Sequence, residues 1–171
     1  MTYRNQDYLN RELSKMDDFK AKIKAEIKFY EEFIAVADGS KKIFKTFEGK
    51  IPTKRIETAL KNFNKHLYFR PREYFYGEWE MDFYKDYHHQ RKIFYGVKIA
   101  DRVVFEDIEN EINKTIEYTQ KSIDELKAFL KNPESKIKKL YKMADDFNEV
   151  YDSIPSQAKE IIGIKHVFVY L

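Results

Sequence analysis

Four side chains near the middle of the chain could do chemistry together. Asp82, Asp86, His88 and His89 place two carboxylates and two imidazoles within eight residues, and each is an acceptable ligand for a divalent metal. A metal ion there would activate water for phosphodiester cleavage, with Lys85, Arg91 and Lys92 close by to hold phosphate. Against this stands a plainer reading. Adjacent histidines on a strand point to opposite faces, and polar residues are the normal content of a hairpin tip. Nothing elsewhere adds a second metal motif. Six serines lie in helical or capping contexts, none in a glycine-flanked elbow. The five glycines are scattered, which excludes a phosphate-cradling loop, and the absence of cysteine excludes disulfides, thiolate metal sites and a cysteine nucleophile. No catalytic residue is assigned and no cofactor is expected; a metal-dependent nuclease built on the quartet is the alternative.

Binding surfaces are better represented. Residues 1–40 carry 7 basic and 8 acidic groups, 41–98 carry 14 and 7, and 99–171 carry 11 and 14, so a net charge of +3 conceals a strongly basic middle third. Lys54, Arg55, Lys61, Lys65, Arg70, Arg72, Arg91 and Lys92 are its candidate nucleic-acid contacts, interleaved with Tyr68 and Tyr74 that could stack on bases. A second candidate surface, for a protein partner, combines Tyr74, Tyr76, Glu78, Glu80 and Asp82 with Glu106, Asp107, Glu109 and Glu111. Such an acidic display imitates a run of phosphates, although acids in the first turn of a helix also answer its dipole.

These groups must be positioned by a long antiparallel hairpin over 73–100. Phe75, Gly77, Trp79, Met81 and Phe83 alternate with Tyr74, Tyr76, Glu78, Glu80, Asp82 and Tyr84, the period-two pattern of a half-buried strand. The returning run sets Met81 opposite Tyr95, Trp79 opposite Val97, Phe83 opposite Ile93 and Glu78 opposite Lys98. Around it, three- and four-residue spacing predicts a long N-terminal helix over residues 7–37, stopped at Gly39, then a short strand over 41–47. Thr53 caps a helix bearing Ile56, Ala59, Leu60 and Phe63, and Leu67-Tyr68-Phe69 forms a strand that Pro71 confines to an edge. Helices over 105–130 and from Pro133, capped by Asn132, make a helical hairpin across 104–151. Ser156 is expected to cap a short helix ending at Gly163, and 164–171 to add a terminal strand to the sheet. The expected class is α+β: one domain over 1–171, with an antiparallel sheet of about three to five strands. A signal core and a membrane-spanning run are both absent from the sequence, so a cytoplasmic protein without membrane contact is expected.

Lys, Ile, Asn, Phe and Tyr total 77 residues whereas Gly, Ala, Arg and Pro total 25, the usage of an AT-rich genome. Small, cysteine-free, charge-segregated and rich in tyrosine, the chain resembles accessory proteins of low-GC Gram-positive phages and mobile elements, anti-CRISPR proteins among them. That resemblance of type implies a stoichiometric inhibitor of a Cas9-type nuclease effector, binding the protein, its guide RNA, or both. A third expectation is a structural protein that oligomerises through its long helices.

Overall fold

A computed structural model describes residues 10–11, 13–72, 77–84, 92–163 and 165–167; for 92–96, 160 and 162 the backbone alone is considered. The class is α+β. Among these residues the elements are α1 (Met16–Thr46), α2 (Lys54–Phe63), β1 (Leu67–Pro71), β2 (Trp79–Tyr84), β3 (Lys92–Ile99), α3 (Phe105–Leu130), α4 (Pro133–Ser153) and α5 (Ser156–Ile162). The chain forms two compact units, Lys28–Asp124 and a second composed of Met1–Ile27 with Glu125–Leu171.

In the first unit an antiparallel sheet of order β1-β2-β3 presents one face to helices. Leu67, Phe69, Met81, Phe83, Val97 and Ile99 bury against Phe33, Ala37 and Phe44 of α1, Ile56 and Leu60 of α2, and Ile108 and Ile112 of α3. Phe83 meets Phe33 at 5.2 Å between ring centroids, and Phe44 meets Phe69 at 6.0 Å. The expected helix over 7–37 is helical at residues 10, 11 and 13, with 7–9 and 12 outside the described residues, but it is broken before α1 and overrun at its far end. A turn at Ser14–Lys15 precedes α1, and α1 runs through Gly39 to Thr46, so residues 41–47 form no strand. Phe44 is fully buried and Ile43 and Phe47 pack beside it, which extends the apolar stripe and the helix with it. Gly39 has a different role. A Cβ there would lie 2.4 Å from the Phe63 ring, so its missing side chain is what lets α2 approach α1.

The hairpin is antiparallel as expected but not in the expected register. The pairs are Trp79↔Ile99, Glu80↔Lys98, Met81↔Val97, Phe83↔Phe94 and Tyr84↔Lys92. Only the Tyr84–Lys92 end follows the expected pairing. Two irregularities, Met81/Phe83 and Phe83/Tyr84, each slip the ladder by one residue, and two slips restore the original face. Gly96 lies in the first, where a strand bulges most cheaply. Among the described residues strand β1 pairs with β2 alone, an edge position that suits Pro71.

The second unit has its own small core of Met16, Ile137 and Tyr141, with Leu13, Phe19 and Phe129 around it. Asn132 accepts the Ser135 N–H and Pro133 opens α4, as expected. Pro155, not Ser156, occupies the N-cap of α5, and Gly163 ends it in the left-handed region at φ 72°. Residues 165–167 are not a strand. Asn148 holds Val167 by both its N–H and its C=O at 2.9 Å, which ties this segment to α4. The remainder of the expected terminal strand lies outside the described residues.

Candidate nucleic-acid interface

The start of α2 and the loop before it bring four cations together. Thr53 is extended (φ −146°, ψ 169°), and its hydroxyl accepts the Arg55 N–H at 3.3 Å, which fixes the first turn. Ile56 and Leu60 point into the core, so Lys54, Arg55 and Lys61 face solvent. The preceding loop is pinned by backbone. Gly49 N–H donates to Val103 C=O and Val103 N–H donates to Lys50 C=O, both at 2.9 Å, so Lys50 lies beside Arg102. Glu48 accepts the Phe105 N–H at 2.7 Å, capping α3 from the same loop. Gly49 makes this path possible at φ 71°, a conformation that a side chain would strain.

An open groove of ≈ 720 Å³ results, lined by Lys50, Ile51, Thr53, Lys54, Arg55 and Arg102, among others. All four cations are exposed, and none has an ion-pair partner among the described residues. Ile51 is 67% exposed and supplies an apolar patch in their midst. Lys54 and Arg55 also line a shallower depression of ≈ 400 Å³ that continues along α2 past Thr58 to Asn62. With the positive end of the α2 dipole added, the surface is chemically suited to phosphate groups.

Of the basic residues expected from sequence, Lys54 and Arg55 line the groove, Lys61 continues along the same helix, and Lys65 is exposed just beyond its end. Lys50 and Arg102 escaped the reading because their neighbours in the fold are 52 residues apart in the chain. Arg70 and Arg72 are differently placed. Arg72 hydrogen-bonds Glu78 and lies 3.7 Å from Glu80, and Arg70 lies 3.6 Å from Asp82. Glu78 is thus paired with Arg72, and Glu80 rather than Glu78 stands opposite Lys98. The side chain of Lys92 is not described; Arg91 lies outside the described residues.

The expected acidic surface divides as well. Asp82 is not on a wet face: it is fully buried, with the Tyr84 hydroxyl donating to it at 3.3 Å. Tyr84 is itself 8% exposed and meets Tyr68 edge-on at 5.2 Å, so it is no outward stacking platform. Tyr74 and Tyr76 lie outside the described residues. On α3, Glu106, Asp107 and Glu111 are exposed and Glu109 half-buried. At 100° per residue they spread over about 200° of the helix, too wide for a single phosphate-like row. Glu111 is also engaged by Lys114 at 2.9 Å, and this hydrogen bond, with the attraction behind it, holds the Lys114 pKa above its ordinary value.

Asp82 is likewise removed from the proposed metal quartet, because a guanidinium at 3.6 Å occupies the place a cation would take. Asp86, His88 and His89 lie outside the described residues. Among the described residues there is no group of three or more metal-binding side chains, and no helix is long and apolar enough to cross a membrane.

The chain matches no family model, no curated protein and no solved structure. The site therefore has to be read from its own chemistry.

Proposed function

We propose that this protein works by stoichiometric binding to a nucleic-acid strand through the Lys50–Lys54–Arg55–Arg102 groove. The observation that carries this is the convergence of four exposed cations, without ion-pair partners among the described residues, from a loop, a helix start and a distant turn. Fixed cations beside an exposed Ile51 suit a flexible, unpaired strand, whose phosphates meet Lys and Arg while ribose and base edges rest on the apolar surface. In the setting that the phage-protein resemblance implies, the strand is the guide RNA of a Cas9-type effector, and the consequence is inhibition of that nuclease.

Fluorescence anisotropy with an unstructured RNA oligonucleotide, a guide RNA and duplex DNA tests the reading. Saturable binding that leaves the RNA intact is expected, weakened in the variant Lys50→Ala/Lys54→Ala/Arg55→Ala/Arg102→Ala. Adding the protein to a reconstituted effector at a one-to-one ratio is expected to block target cleavage. RNA degradation abolished by EDTA would overturn the proposal in favour of the nuclease. Binding undiminished in the quadruple variant would remove the groove from it.

A further inference from the structure

Helix α4 carries two apolar faces. Ile137 and Tyr141 are buried in the core of its own unit. About 120° around the helix lies a second stripe of Leu140, Met143, Phe147 and Val150, spaced three, four and three residues apart. These four are 50%, 57%, 37% and 65% exposed. The spacing is that of a coiled-coil seam, in which alternate three- and four-residue steps keep one side of a helix against its partner.

Charge along the helix says what the partner is. Beside the stripe, within about 80° of its centre, stand Lys139 in the first half of the helix and Asp146 in the second, whereas Lys138, Asp145 and Asp152 lie on the far side, Asp152 against His166 and Lys159. We infer that the stripe is a self-association surface, on which α4 of a second copy of this chain lies antiparallel. Antiparallel pairing sets Lys139 of each helix beside Asp146 of the other and opposes their dipoles. It also seats Leu140 against Val150 of the second copy and Met143 against Phe147, so that the apolar side chains meet along the whole seam. Parallel pairing would set Lys139 level with Lys139 and Asp146 level with Asp146. An anionic membrane or a nucleic acid would attract the first half and repel the second. Only a partner with the same segregation, reversed, satisfies both halves, and the chain supplies one.

Sedimentation equilibrium of the full chain between about 1 and 100 μM, the range of small transient interfaces, reads this directly. The mass is expected to rise from 20.7 kDa toward twice that value, and Met143→Lys/Phe147→Lys to remain at 20.7 kDa with an unchanged circular dichroism spectrum. Two charge variants keep the test decisive should that substitution disturb folding. Lys139→Glu and Asp146→Lys are each expected to dimerise more weakly alone and to dimerise when mixed. Orientation follows from disulfides, since the chain has no native cysteine. Met143→Cys mixed with Phe147→Cys is expected to form the mixed dimer. A constant monomer mass at every concentration would overturn the inference. So would association unaffected by the stripe variants, preferential Met143→Cys homodimers, or binding to anionic vesicles as the only association found.

Discussion

Arg72 and Lys54 both belong to the basic middle third of the chain, and the fold uses them in opposite ways. Arg72 lies on the sheet, half-buried, with Glu78 and Glu80 against its guanidinium. Lys54 stands at the start of α2, exposed, beside Lys50, Arg55 and Arg102. A tally of charges counts the two alike. Pairing separates them: a cation already neutralised by two carboxylates is part of the sheet, whereas a cluster of cations whose groove has no carboxylate among its described lining residues is held together by the fold and remains available to a ligand. The energetic reason is that partly buried charges must be paired, while exposed ones can be left to solvent.

Substitutions can break or sharpen that contrast. The largest expected effect comes from the packing beneath both regions: Phe44→Ala empties a fully buried site between α1 and β1 and should cost about 3–5 kcal/mol in urea unfolding. Next is Asp82→Ala, which removes a buried carboxylate from Arg70 and the Tyr84 hydroxyl; a loss of about 2 kcal/mol is expected, tempered by the exposure of Arg70. Thr53→Ala deletes the cap at the groove and should lower stability by about 1 kcal/mol. Smallest for binding should be Arg72→Ala, which is expected to change RNA affinity less than about twofold while lowering stability by about 1 kcal/mol, because its charge serves the sheet. A large loss of RNA binding in Arg72→Ala, with the groove variant unaffected, would reverse the assignment of the two regions.

Much of the scaffold was legible in the chain, for identifiable reasons. The spacing of Ile108, Ile112 and Ile123, the Thr53 and Asn132 caps and the Pro71 edge each combine a local preference with a burial pattern, and both point the same way. Residues 41–47 imitate a strand because a short alternating run follows a glycine; the buried Phe44 ring, a tertiary contact, decides for helix. The two slips in the hairpin are invisible to periodicity because together they leave Met81 and Val97, like Trp79 and Ile99, on the side that alternation assigns them. Half of the groove was legible, namely Lys54 and Arg55 on one predicted helix. Lys50 and Arg102 were not, since they meet only through the Gly49–Val103 backbone pair.

The most direct measurement is the salt dependence of RNA affinity for the wild-type chain and for Lys50→Ala/Lys54→Ala/Arg55→Ala/Arg102→Ala. With about four phosphates neutralised, log K should fall against log salt with a slope near −3, roughly a 50-fold loss between about 50 and 200 mM. The variant should bind weakly and with a nearly flat slope. No measurable binding by the wild type at low salt, or the same slope in both proteins, would contradict the assignment of this groove to a nucleic-acid backbone.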